Sequence, residues 1–284
     1  MNLKLNDKIA LVACSNQLNI SSKDKIKEII KIFNSFNIEV LVSKNIFKTN
    51  IQYSSGEVRG KELNKFFKDD SIKYIFDISG GDLCNEILPY LDFNCIKNSK
   101  AIYFGYSDLS VLLNSIYKKT NKISYYYNLK NITNENAFKD FYNTFIVNDS
   151  NSLFNISNYT FIEGNSLNGI VIGGNIRCTL KLAGTEYFPN FNNSVLFLES
   201  YSGDLTKIRT FLAQYKLMNV FSNINGIILG QFTELSMKNQ YNELINIMKK
   251  LCNENNISLV VTDNIGHSND SKGIAIGKYL DIKK

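Results

Sequence analysis

The chain has no CxxC pair, a single histidine and no phosphate-binding glycine loop, and each absence removes a class of chemistry. Five cysteines, an odd number without paired spacing, do not make a disulfide framework or a zinc site. Cys14, Cys84, Cys178 and Cys252 lie within or beside apolar segments, which suits reduced, mostly buried thiols. One histidine with the scattered carboxylates Asp77, Asp82 and Asp108 is a poor metal set, so no cofactor or metal is expected. Neither GxGxxG nor GxxxxGKS/T occurs, which weighs against a nucleotide-dependent enzyme. No apolar run approaches the length of a membrane span. Met1 to Asp7 is polar and Ile9 to Ala13 is too short for a secretory h-region, so the expected location is the cytoplasm. The net charge of +6 is spread along Lys-rich helices with no long block of one sign, so neither a nucleic-acid polymer nor a membrane is an expected partner. Internal repeats and low-complexity linkers are absent as well.

What is present is an ordinary globular composition, 44% hydrophobic and 20% charged over 284 residues, enough for one large domain or two. Apolar runs of strand length occur at Lys8–Cys14, Ile38–Val42, Ile72–Ile78 and Ala101–Phe104. Segments with helical spacing alternate with them, such as Ile26, Ile29, Ile30 and Phe33, and a helix beginning at Glu57. A further helix is expected to carry Ile87 and Leu88, with a polar loop from Asp92 to Lys100. This β-α-β-α order over about the first 120 residues predicts a parallel, doubly wound sheet. From Asn121 to Asn168 the pattern weakens into Asn- and Tyr-rich pieces, read as the crossing between domains with short strands opening the second. Strands are then expected at 169–173, 194–198, 226–229 and 257–261, with an edge segment at 273–277.

Three polar residues follow predicted strands at their carboxyl ends, the edge where open α/β sheets place their sites: Ser107, Glu199 and His267. Ser107 lies in Gly-Tyr-Ser-Asp, at a sharp strand-to-helix turn. There a serine serves either as helix N-cap or as an exposed nucleophile beside free backbone N–H groups. Glu199 reads as a strand-end carboxylate or as the partner of a base. His267 is the one candidate for an imidazole base. Gly80-Gly81-Asp82 follows a strand and precedes a helix, which suits close backbone approach beside the serine. The N–H groups of Gly81 and Asp108 would then be the oxyanion donors. Gly173-Gly174-Asn175 starts another helix whose N-terminus, with Arg177, could receive a substrate anion. Arg59 is a second candidate for a carboxylate.

The runs ISGGDLCNEILPYLDFN, AIYFGYSDLSVLL, GIVIGGNIRCTLKLAGTEYFP, VLFLES, GIILGQF and NIGHS follow one another in this order. Together they resemble the serine LD-carboxypeptidase family, which includes the microcin C self-immunity peptidases. The resemblance spans about Leu11 to Gly277, and the GGD turn with Asn85 is similar to the microcin-immunity branch. It implies Ser107 as nucleophile, Glu199 and His267 as the rest of a Ser-Glu-His triad, and the Gly80-Gly81-Asp82 turn beside the nucleophile; Gly80, Asp82, Asn175 and Arg177 are the candidates for contact with the substrate. Ser200 stands where many members carry Asp, Cys14-Ser15-Asn16 replaces a Ser-Pro pair, no proline precedes Gly277, and Asn121 to Lys130 matches weakly. None of these removes a triad member.

The fold expected is two α/β domains. Residues 1–150 would form a Rossmann- or flavodoxin-like parallel sheet carrying the nucleophile, and 151–284 a mixed-sheet α/β domain carrying Glu199 and His267. The function expected is a serine peptidase acting on a small peptide or peptide-like amide. Its substrate would be either the terminal D-alanine of a murein tetrapeptide or a microcin C-type peptidyl- or aminoacyl-nucleotide, with a homodimer compatible. The alternative is a non-catalytic ligand sensor on the same fold, against which an intact triad argues.

Overall fold

The computed structural model describes residues 1–49, 52–149 and 153–284. The domain boundary expected at 150 lies outside the described residues. The first sheet is built from β1 (Lys8–Val12), β2 (Glu39–Val42), β3 (Ile72–Asp77), β4 (Ile102–Gly105) and β5 (Ser124–Tyr126), all parallel. The second contains β6 (Thr160–Glu163), β7 (Ser166–Asn175), β8 (Ser194–Ser200), β9 (Gly226–Phe232) and β10 (Ser258–Val261). Here β7 to β10 are parallel and β6 runs antiparallel to β10. Two late strands finish the molecule. β11 (Ile274–Ile276) returns to the first sheet and pairs antiparallel with β5, and β12 (Tyr279–Lys283) pairs antiparallel with β7. The orders are β11-β5-β4-β3-β1-β2 and β12-β7-β8-β9-β10-β6, six strands each. The chain adopts the expected α/β architecture with two sheets, but both are mixed: the first, expected to be parallel, takes in the antiparallel β11, whose residues were expected in the second domain.

The apolar runs become strands because helices cover both faces, so side chains in either direction are buried. Ile9, Leu11, Ile75, Phe76 and Phe104 are all fully buried. The helix at Lys23–Asn34 turns Ile26, Ile29 and Phe33 inward, and that at Gly56–Lys68 turns Leu63 and Phe67 inward. The Ser55 hydroxyl caps the latter at Val58 N–H. Ser110–Thr120 is covered nearly all round, with Val111, Leu112, Leu113 and Ile116 at 1% exposure or less. This is the helix on which the second domain packs. One hydrophobic cluster therefore contains Leu109 and Leu113 of the first half together with Val171, Phe197 and Ile228 of the second. Burying each such side chain is worth about 1.5–3 kcal/mol, so the two halves share a core.

Three local expectations are corrected. The polar stretch Asp92 to Lys100 is not a loop: Phe93–Asn98 is helical, with the Asp92 carboxylate accepting Cys95 N–H at 2.9 Å. Only Ile96 anchors it, so no apolar period announced it. Ile87 and Leu88 sit in a 3-10 helix, Cys84–Tyr90, that holds Pro89. Tyr125 and Tyr126 belong to β5 of the first sheet rather than to a crossing between domains. No helix is long and apolar enough to cross a membrane among the described residues.

Candidate active site

Ser107 lies two residues past the end of β4, after Tyr106, in a left-handed conformation with φ of 57°. A non-glycine residue there costs about 1–2 kcal/mol, and the surroundings hold it in place. Its N–H donates to the Tyr126 hydroxyl at 3.1 Å and its carbonyl accepts the Ser110 hydroxyl at 2.7 Å. Tyr126 reaches it because β4 and β5 pair Gly105 with Tyr126. Gly105 permits the sharp turn, since a Cβ there would lie 2.7 Å from the Leu109 Cβ. The Ser107 hydroxyl caps no helix. It instead faces His267, with Oγ 3.4 Å from Nε2.

The other ring nitrogen of His267, Nδ1, lies 2.6 Å from Glu199 Oε2. Glu199 is fully buried near the end of β8, and its remaining oxygen accepts the Tyr126 hydroxyl at 2.7 Å and Asn175 Nδ2 at 2.9 Å. A buried charge without such donors would be costly. Asn175 is in place because β7 and β8 pair it with Glu199 in register. Its own oxygen accepts Cys178 N–H, so it caps the short helix expected to offer its N-terminus to an anion. The His267 ring sits between Tyr106 and Tyr201, with centroids 4.5 and 5.0 Å away.

On the opposite wall, Asn16 shapes the glycine turn. Its N–H donates to Gly80 carbonyl at 3.1 Å, and its Oδ1 accepts Asp82 N–H at 2.9 Å and Leu83 N–H at 3.2 Å. Gly81 has φ of 115°, and a Cβ there would meet the Asn16 side chain at 2.4 Å, so only glycine fits. The described hydrogen bonds include none from the N–H of Gly81 or of Asp108. The Asp108 side chain points away into the core. It accepts Ser15 Oγ at 2.6 Å and Cys84 N–H at 2.9 Å, and pairs with Lys181 at 2.5 Å. Arg177 forms an ion pair with Asp82, which holds that carboxyl below its ordinary pKa. Arg59 is buried beneath the turn, donating to the carbonyls of Cys14 and Ser15 and pairing with Glu86 at 2.5 Å. It is a structural strut and lies outside the cleft-lining set.

A cavity of about 270 Å³ joins Ser107 and His267 to Gly80, Gly81, Asp82, Asn175 and Arg177. Lys130 and Tyr201, neither singled out from the sequence, line it too. A larger hollow of about 730 Å³ between Gln52–Glu57 and Leu83–Tyr90 holds none of Ser107, Glu199 and His267. No cluster arranged to hold a metal occurs among the described residues. Tyr126 and Lys130 were missed because they lie in the Asn- and Tyr-rich stretch, where no motif or helical period marks them.

Residues 9–127 match the LD-carboxypeptidase N-terminal domain and residues 168–282 the LD-carboxypeptidase C-terminal domain. YocD of Bacillus subtilis (strain 168) is 26% identical over 310 residues, covering 99% of this chain and 94% of its own. The microcin C7 self-immunity protein MccF of Escherichia coli is 26% identical over 264 residues, covering 81% and 76%. A solved MccF structure superposes with a TM-score of 0.85 at 22% identity, covering 99% of this chain and 94% of that one. MccF has been solved in complex with glutamyl sulfamoyl guanosine and with aspartyl sulfamoyl adenosine. The muramoyltetrapeptide carboxypeptidase of Oxalobacter formigenes superposes with a TM-score of 0.77 at 19% identity, covering 98% and 95%.

Proposed function

This chain belongs to the LD-carboxypeptidase family, and from that premise we propose that it is a serine peptidase cleaving a small peptide or peptide-like amide. The observation that carries the reading is the run of contacts from Ser107 Oγ through His267 to Glu199, 3.4 and 2.6 Å, opening on one cavity. With Nδ1–H directed at Glu199, the Nε2 lone pair faces the serine hydroxyl. His267 takes the hydroxyl proton as Oγ attacks the carbonyl carbon, and Glu199 holds the ring and offsets its charge. The N–H groups of Gly81 and Asp108 receive the oxyanion; losing one such donor typically costs about a hundredfold to a thousandfold in rate. His267 then protonates the departing amine, and water, deprotonated by the same ring, releases the acyl group from Ser107.

Two substrate classes are supported by the names of similar proteins, a microcin self-immunity protein and murein peptide carboxypeptidases. One is a murein tetrapeptide, losing its terminal D-alanine. The other is a microcin C-type peptidyl- or aminoacyl-nucleotide. Purified protein offered both side by side separates them: released D-alanine alone supports the first, cleaved conjugate alone the second. No turnover of either, with Ser107 unreactive toward a serine-directed phosphonate, overturns the peptidase reading and favours a ligand sensor.

A further inference from the structure

Arg177 and Lys130 line the cleft and Lys181 contacts its Asp82 wall; two of these three cations already have partners. Arg177 is ion-paired with Asp82 and reaches Gly81 carbonyl at 3.3 Å. Lys181 pairs with Asp108 at 2.5 Å and donates to Asp82 carbonyl at 2.8 Å. Lys130 is different. It lines the same cavity as Ser107 and His267, and its Nζ meets no carboxylate and no hydrogen-bond acceptor among the described residues. Its root is fixed: the N–H donates to Asn128 Oδ1 at 3.3 Å, the carbonyl accepts Thr133 Oγ1 at 3.3 Å, and Leu129 and Ile132 are buried on either side. Asp77, the carboxylate whose field reaches it, has its oxygens engaged by Cys14 N–H, Ser79 and the Tyr103 hydroxyl. Burial lowers the Lys130 pKa, as befits an ammonium without a counter-ion.

We propose that Lys130 binds the terminal carboxylate of the substrate's leaving residue, an inference that rests on the serine-peptidase reading. A cavity of about 270 Å³ takes the end of a peptide rather than a long chain. A carboxylate brought into that partly enclosed cleft is best met by a cation that is not already neutralised. An ammonium is a point charge with three donors, able to meet it without a planar fork. Arg177, which the sequence offered for this role, has its guanidinium committed to Asp82. Lys130 is thus a specificity-determining residue.

The test measures binding without turnover, in a Ser107→Ala background. Two probes are titrated calorimetrically: a murein tetrapeptide ending in D-alanine, and the same peptide with that carboxylate converted to the amide. With Lys130 present, the acid should bind about tenfold to a hundredfold more tightly than the amide. Adding Lys130→Gln should collapse the preference to near unity, and Lys130→Arg should restore part of it. Unchanged thermal melting shows that the variants remain folded. A preference that survives Lys130→Gln, or one that vanishes with Arg177→Gln instead, overturns the proposal, as does failure of both probes to bind. Phosphonate labelling of Ser107 in the Lys130→Gln single variant reads the peptidase assignment separately, because labelling does not require the carboxylate contact.

Discussion

The Tyr126 hydroxyl stands between the Ser107 backbone and Glu199, accepting the Ser107 N–H at 3.1 Å and donating to Glu199 Oε1 at 2.7 Å. The turn that exposes the serine and the buried carboxylate that supports the histidine therefore share one phenol. They lie on different sheets, and the hydroxyl fixes their separation. Burial and the adjacent Glu199 both push the Tyr126 pKa up, so the phenol remains a donor throughout the working pH range.

Tyr126→Phe should keep the ring contacts to Tyr106 and Phe197 while removing that bridge. A hydrogen bond to a charged group is worth about 1.5–3 kcal/mol, so kcat should fall about tenfold to a hundredfold with KM little changed. Steady-state kinetics on whichever substrate the wild type cleaves provide the check. Unchanged kcat would mean the bridge does not position the reacting groups.

Ser107→Ala should abolish turnover by several orders of magnitude, as loss of a triad nucleophile does. Ser107→Gly should be equally inactive but more stable than the alanine variant by about 1 kcal/mol, because glycine adopts φ of 57° without the Cβ clash. Chemical denaturation of the two variants compares them directly. Equal stability would show that the left-handed turn stores no strain.

Activity should fall toward acid, where a base must surrender its free lone pair, and the only histidine is at 267. His267→Gln should leave residual rate and flatten that limb of the pH profile. A limb of unaltered shape in the variant would assign the base elsewhere. A chelator should leave the wild-type rate untouched.

Asp77 closes the strand that leads into Gly80 and Gly81, and it accepts from Cys14 N–H, Ser79 N–H, Ser79 Oγ and the Tyr103 hydroxyl. Asp77→Asn turns an NH₂ toward two of these donors and should destabilise the fold by about 1–3 kcal/mol. Burial raises the Asp77 pKa, so the native carboxyl holds a proton that the unfolded one has released. Its contribution is then fully present at low pH and declines as pH rises through the ordinary Asp range toward the raised value. The penalty of Asp77→Asn should accordingly be larger in acid than at neutrality, as melting at a series of pH values would show. A penalty that grows with pH would reverse the assignment.

The sequence exposed Ser107, Glu199 and His267 because each lies at or beyond the carboxyl end of a β-rich apolar run, and the fold brings all three to one cavity edge. It hid Tyr126 and Lys130 because their importance comes from contacts across the fold. Tyr126 meets a carboxylate 73 positions away, through a bond between the two sheets. A short strand with only Ser124 and Tyr126 buried carries too little alternation to read. Arg177 was visible as a charge, but its engagement with Asp82, 95 residues distant, was not. Local pattern thus singled out the three side chains that the fold brings into contact, whereas the partners that restrain or neutralise them were fixed by packing.

The return of β11 to the first sheet bears on how the molecule can come into being. That sheet opens with β1, near the start of the chain, yet its edge beside β5 is closed by residues 274–276. One glycine later the chain is back on the second sheet, with Gly277 N–H donating to Val171 carbonyl at 2.8 Å. During synthesis the β5 edge therefore stays unpaired until residues past 274 have been made, an open template for stray strands in the interval. Two fragments cut near the middle of the chain should each be incomplete, and should regain a working cleft only on mixing. The molecule is a candidate for split-protein complementation, with a short C-terminal strand as the latch.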